Sequence, residues 1–221
     1  MKLTFFSDTH NRHKKIEFSG GDVLVFCGDL TNRGELSQVK DFSKFVKNLD
    51  YQYKIIIAGN HDFCFDDQRK ETAEEYFLND GLIYLNDSGI EIEGIKFWGS
   101  PIQPWFHDWA FNRSRGEEIK KHWDLIPTDT DVLITHGPPF GILDLCSHGE
   151  RVGCNDLLET IIKIRPRIHA FGHIHEGHGC LRVDKTLFIN ACNLEERYLP
   201  AFPPIDVGIN KERYGRICVS M

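Results

Sequence analysis

IIIAGNHD, residues 55–62, is an apolar run that stops at a glycine and then presents three polar side chains in a row. Consecutive isoleucines suit a strand buried on both faces, where β-branched side chains pack well. Asn60, His61 and Asp62 bring an amide oxygen, an imidazole and a carboxylate, groups that bind cations or move protons. The same transition recurs along the chain. Leu3–Phe6 leads into Asp8-Thr9-His10, and Val23–Cys27 into Gly28-Asp29. Val132–Thr135 leads into His136-Gly137, and Ile168–Phe171 into Gly172-His173-Ile174-His175.

With Lys54–Ala58, Ile95–Trp98 and Leu187–Asn190, these runs read as seven strands. Helical patterns lie between several of them. Leu36, Val39, Phe42, Phe45, Val46 and Leu49 repeat at three to four residues, and residues 154–165 repeat likewise through Leu157, Leu158, Ile161 and Ile162, ending before Pro166. Alternation of strand and helix predicts an α/β fold with a largely parallel sheet, and hairpin-like stretches at 81–98 and 180–190 add antiparallel character. In such a sheet the crevice beyond the carboxyl ends of the strands receives ligands. Five polar clusters at five strand ends therefore converge on one place.

Composition narrows the partners. The chain has 221 residues, formal charge −7, 41% hydrophobic and 27% charged residues, and is expected to form one domain over residues 1–221. An acidic chain with no local basic patch is not expected to bind nucleic acid. No apolar run approaches the ~20 residues that span a bilayer, and MKLTFFSDTH turns polar too early for a secretory leader. Seven cysteines without a C-x-x-C pair read as reduced thiols, which points to the cytoplasm. Residues 198–208, YLPAFPPIDVG, are expected to be irregular and packed over the domain.

Taken singly, each cluster has an ordinary explanation. Gly28-Asp29 and Gly59-Asn60 suit turns, and His136 before Gly-Pro-Pro suits a rigid loop. His173-Ile174-His175 says more, because alternate residues of a strand face one side and both imidazoles reach one cavity. The whole order D-x-H, G-D, G-N-H-D, His, G-H-x-H resembles the calcineurin-like metallophosphoesterase superfamily. GSPIQPWFHDWAFN, THGPP, RVGCNDLLE and RPRIHAFGHIHEG resemble, within it, the metallophosphoesterase-domain-containing (MPPED-type) family. The likeness runs from Ser7 to about Pro204.

The resemblance implies a four-layer α/β/β/α sandwich of two mixed sheets flanked by helices. It implies two divalent transition-metal ions, manganese foremost, with iron, nickel, cobalt or zinc as alternatives. By the resemblance Asp8, His10 and His175 hold one ion, Asn60, His136 and His173 the other, and Asp29 bridges both. Two divalent cations, two carboxylates and a bridging hydroxide sum to about +1, which favours an anionic phosphate substrate. Ions ~3.5–4 Å apart serve in-line displacement at phosphorus, so no protein nucleophile is needed. His61 is then the residue to protonate the leaving oxygen or bind phosphate, with Asp62 orienting its ring. Arg33, in GDLTNRG, resembles the phosphate-binding arginine of Ser/Thr phosphatases, although Asn32 stands where those enzymes have Asp.

Other features read both ways. Trp105, Phe106 and Trp109 suit either stacking on a nucleobase or core packing. His169 reads as a core histidine and His178 as a solvated loop residue. A metallo-β-lactamase-like H-x-H-x-D-H site fails at Gly177, and an amidohydrolase barrel needs ~250 residues. The expectation is a phosphodiesterase of cyclic nucleotides or similar small phosphodiesters. The alternative is a nucleotide-binding or scaffolding protein with little turnover on the same fold.

Overall fold

In the computed structural model, residues 1–210 and the backbone of 218–220 are described. The strands are β1 (Lys2–Phe6), β2 (Gly21–Cys27), β3 (Tyr51–Ile57), β4 (Ile83–Tyr84), β5 (Ser88–Ile92), β6 (Ile95–Ser100), β7 (Gln103–Pro104) and β8 (Asn112–Arg113). They continue with β9 (Val132–Thr135), β10 (Ile168–Phe171), β11 (Gly179–Val183), β12 (Thr186–Asn190), β13 (Ile205–Gly208) and β14 (Cys218–Ser220). The α-helices are α1 (Leu36–Lys47), α2 (Lys70–Asn79), α3 (Glu117–Trp123) and α4 (Asn155–Ile164). One sheet runs β14-β13-β1-β2-β3-β4 and the other β11-β12-β10-β9-β6-β5, with β7 and β8 as a short separate pair. β1 to β4 are mutually parallel, as are β12, β10, β9 and β6, so both sheets are mixed. The antiparallel hairpins expected near 81–98 and 180–190 are β5–β6 and β11–β12.

Strand alternation explains the layers. Leu3, Phe5, Val23, Val25, Ile55 and Ile57 of the first sheet meet Phe97, Val132, Ile134, Ile168, Ala170 and Ile189 of the second in one apolar cluster. Their neighbours on the opposite faces, Phe6, Leu24, Phe26 and Ile56, pack instead with Val39, Phe42 and Val46 of α1 and Phe77 of α2. Leu133, Phe171 and Phe188 likewise pack with α3 and α4. The central strands are buried on both faces because helices cover one and the other sheet covers the other, which gives the sandwich, while the edge strands β5 and β11 stay partly exposed.

α4 illustrates the local rules. Cys154 caps it by accepting the Leu157 amide, Leu157, Ile161 and Ile164 form its buried stripe, and Arg165 ends it at φ 55°. Pro166 disfavours the α conformation at the residue before it, so the helix stops there. α2 and α3 leave no clear pattern in the sequence, because each buries only two side chains (Ala73 and Phe77, Ile119 and Trp123). One expectation is corrected. The segment 198–208 is irregular only as far as Pro204, and Ile205–Gly208 pairs antiparallel with β1, turning Ile205 and Val207 into the core between the sheets. Among the described residues no helix is long and apolar enough to cross a membrane.

Candidate metal centre

The seven candidate ligands all lie just past the carboxyl ends of β1, β2, β3, β9 and β10, and the fold brings them together. Three sets place one ligand atom from each residue within 4.8 Å of the others: Asp8, His10 and His175; His10, Asp29 and His61; Asp29, His136 and His173. Asn60 joins them through Oδ1, 2.8 Å from His136 Nε2. Asp29 stands at the centre, its Oδ2 lying 3.4 Å from His136, 3.8 Å from His10 and 3.9 Å from His61.

Holding these groups so close requires unusual backbone. Asp8, His10, Asp29 and His173 have φ of 54°, 40°, 63° and 68°, the left-handed region that side chains other than glycine disfavour. Such strain persists only where surroundings over-determine it. Here the Asp8 amide donates to the Gly28 carbonyl at 2.9 Å and the His10 amide to the Asp29 carbonyl at 3.0 Å. Two glycines permit the approach of one sheet to the other. At Gly28 (φ 103°) a Cβ would sit 2.5 Å from His136 Nδ1, and at Gly172 it would run into Asp8 Oδ2 and Ser7 Oγ. H-x-H therefore works through a turn. His173 and His175 lie beyond β10, so strand alternation, the expected reason for their shared direction, does not apply.

Ring orientation is fixed by carbonyls. His136 Nδ1 lies 2.9 Å from the Cys27 carbonyl and His175 Nδ1 3.1 Å from that of Glu195. A carbonyl only accepts, so both Nδ1 atoms carry hydrogen and both Nε2 atoms face the carboxylates, the arrangement that prepares histidine for a metal. Burial works to raise the Asp29 pKa, but His136, His61 and His10 outweigh it and hold the carboxylate well below its ordinary range. Burial works to lower His136, but Asp29 raises it to about 9. Burial alone dominates at His10, which falls to about 4.

The donor set fits a pair of divalent transition-metal ions. Two buried carboxylates face imidazole nitrogens, and both ring nitrogens of His10 are buried without a hydrogen-bond partner. Asn60 Oδ1 and Asp29 both face His136 Nε2, and the raised His136 pKa marks a place where the site favours positive charge. Nitrogen and oxygen donors of this kind suit manganese, iron, cobalt, nickel or zinc. Cys192, which the sequence did not single out, donates its thiol to Asp8 Oδ2 at 3.0 Å. Burial pushes that thiol well above its ordinary pKa, so it braces Asp8 as a neutral donor.

Asp62 is corrected. It does not orient the His61 ring, whose Nδ1 lies 2.7 Å from the Asn32 carbonyl. The Asp62 carboxylate accepts instead from the amides of Asp29, Leu30, Thr31 and Gly59 and from the Thr31 hydroxyl. It ties the β2 and β3 loops together, and burial with the Asp29 charge raises it to about 6. His61 is held by its Asn32 tether and by Trp109, whose ring lies 4.2 Å away. Arg33 is exposed, stacks 5.3 Å over Trp109 and does not line the cavity at the centre.

That cavity, about 620 Å³, has His61, His173 and His175 on its floor. Phe106 and Trp109 line it, so they are not core residues, and Trp105 is 62% exposed nearby. Tyr198, missed in the sequence, covers the centre with its ring 4.7 Å from His10 and 5.1 Å from His175. Only its proline-rich setting signalled a loop, and a lone tyrosine gives no direction. His169 is a core residue bonded to the Thr135 hydroxyl. His178 is half-buried rather than fully solvated: it stacks on Phe202 at 4.3 Å and its Nδ1 lies 2.7 Å from the Cys192 carbonyl.

Comparison with known proteins agrees with this geometry. Residues 1–177 match the family model described as calcineurin-like phosphoesterase. The chain is 41% identical to human metallophosphoesterase domain-containing protein 1 over 94% of its own length and 70% of that protein's. It is 27% identical to a protein of Arcobacter nitrofigilis named "Probable glycerophosphodiester phosphodiesterase", over 76% of this chain and 59% of that one. Its fold resembles the crystal structure of TT1561 from Thermus thermophilus, with TM-score 0.63, 12% identity and coverage of 86% and 88%.

Proposed function

This chain belongs to the calcineurin-like phosphoesterase family, and on that footing we propose that it is a dinuclear metal-dependent phosphodiesterase of small molecules, cyclic nucleotides among them. The observation that carries the reading is Asp29, one carboxylate within 4 Å of histidines from both candidate ligand sets. In the proposed assignment Asp8, His10 and His175 hold one ion and Asn60, His136 and His173 the other, with Asp29 shared. Bound there, two divalent ions, manganese foremost, would stabilise phosphoryl oxygens and acidify water.

The chain's own residues do the rest. Asp8 and Asp29 supply the negative charge that retains cations, while the Cys27 and Glu195 carbonyls keep His136 and His175 aimed. As an imidazolium, with Nδ1–H donated to the Asn32 carbonyl, His61 would give its Nε2 proton to the departing oxygen and be left as the neutral imidazole. Asp62 acts only by fixing the loops that carry Asp29 and Asn60. Arg33 is kept as an outer contact that stiffens Trp109.

Charge favours a diester over a monoester. Glu150, Glu176 and Glu196 line the outer cavity, and a dianionic monoester meets more repulsion there than a monoanionic diester. The same rim disfavours nucleic acid, and the name of the Arcobacter relative points to diesters. Free buried thiols such as Cys27 and Cys192 suit a reducing cytoplasmic setting. The test is manganese-loaded protein assayed on bis-p-nitrophenyl phosphate, p-nitrophenyl phosphate and 2′,3′- and 3′,5′-cyclic nucleotides. Higher kcat/KM on the diesters is expected; a preference for the monoester would overturn the assignment.

A further inference from the structure

A second cavity, about 200 Å³, adjoins the first and shares Phe106, Val152 and His173 with it. It has room for about six water-sized groups. Among the described residues that line it, the only Lys, Arg, Asp or Glu side chains are Arg115 and Arg151. Two arginines from separate segments, one before α3 and one in the loop before α4, therefore meet in a chamber with no acid on its wall. This happens in a chain of net charge −7 whose main cavity carries three glutamates.

Neither arginine is spent by its other contacts. Arg115 donates through both terminal nitrogens to the carbonyls of Val152 and Gly153, which neutralises none of its charge. Arg151 pairs through Nη1 with the buried Asp144 at 2.6 Å, leaving the other nitrogens of a half-exposed guanidinium. Asp144 offsets one of the two positive charges, so the chamber keeps about one. Gln103, 1% exposed, also lines it, and its Oε1 has no hydrogen-bond partner. The Gln103 Nε2 donates to Asn112 Oδ1 at 3.3 Å, which leaves the oxygen as the free end. Gln103 Oε1 is an acceptor and takes a donor, so an anion in this chamber is held by the two guanidinium groups.

We infer that the side chamber is a specificity subsite for an anionic group on one ester arm of the substrate. Arg115 and Arg151 bind that carboxylate or phosphate while the reacting phosphoryl group sits on the other side of His173. This rests on the phosphodiesterase reading and sharpens it. The substrate class becomes a small phosphodiester with a second negative charge on one arm, a few bonds from phosphorus. The glutamates of the main cavity drive such a charge toward the chamber rather than the open mouth.

Binding tests this without turnover. Manganese-loaded protein is titrated by calorimetry with methylphosphonate monoesters carrying a butyl arm or a 3-carboxypropyl arm. Charge-assisted hydrogen bonds to a guanidinium are worth enough for the carboxylate arm to bind ~10- to 100-fold tighter. Arg151→Gln, shown folded by circular dichroism, should bring that ratio close to one, and Arg151→Lys should keep much of it. Because Arg151→Gln also disturbs Asp144, Arg115→Gln provides an independent variant in which the ratio falls. Equal binding of the two arms by the parent protein overturns the subsite alone. So does a ratio that survives both Arg151→Gln and Arg115→Gln. Failure of both analogues to bind removes the phosphodiesterase reading and the subsite with it.

Discussion

Gly172→Ala adds one methyl group where the two sheets meet. The new Cβ would overlap Asp8 Oδ2 and Ser7 Oγ and stand 2.8 Å from Ser7 Cβ. Ser7 and Asp8 are fully buried, and Asp8 is fixed by the His173 amide at 3.0 Å and the Cys192 thiol at 3.0 Å. The carboxylate must therefore move on the order of 1 Å and give up the His173 amide. Overpacking costs about 1–3 kcal/mol, and losing a hydrogen bond to a charged group about 1.5–3 kcal/mol. Together they predict about 3–5 kcal/mol, or roughly 6–20 °C in Tm for a chain of this size. Thermal unfolding in chelator reads stability apart from metal, and elemental analysis after reloading reads the displaced Asp8 as lost metal. Gly137→Ala is the control, since its Cβ meets only Gln103 Cβ at 3.9 Å beside another candidate ligand. A Gly172→Ala protein matching Gly137→Ala in Tm and metal content would refute the reasoning.

Other outcomes follow from the same geometry. His61→Ala, with metal retained, should lose ~10²–10⁴-fold on a cyclic nucleotide and much less on bis-p-nitrophenyl phosphate, whose leaving group needs no proton; equal losses would make His61 a phosphate binder. Asp29→Ala should lose both metals, whereas Asp8→Ala should keep about one, as read by inductively coupled plasma mass spectrometry; parental metal content in Asp29→Ala would rule out the shared carboxylate. The metal-free protein should be most stable near pH 6.5. Below it the unfolded chain binds protons that His10 (about 4) and His173 (about 3) refuse when folded, and above it stability falls as His136 (about 9) loses its proton. Chemical denaturation from pH 5 to 9 checks this, and a steady rise across that range would contradict it.

Much of the centre was legible because strand ends write themselves into sequence as apolar runs closed by polar residues. The runs at Val132–Thr135 and Ile168–Phe171 coincide with β9 and β10. The sandwich, by contrast, came from resemblance, since a strand buried on both faces does not say whether a helix or a second sheet covers it. What stayed hidden depends on contacts distant in sequence. The Asn32 tether on His61, the Cys192 brace on Asp8 and the turn of Tyr198 over His10 leave no periodic trace. Asp62 was misread for the same reason, because its nearest neighbour in sequence is His61 while its partners are the amides of the β2 loop.

In the proposed centre Asp29 joins two metal sites. Anomalous diffraction at the zinc edge from zinc-soaked crystals tests it most directly. Two peaks are expected, each about 2.0–2.2 Å from an oxygen of the Asp29 carboxylate, one beside His10 and one beside His136. A single peak, or two peaks of which one lies beyond reach of Asp29, would contradict it.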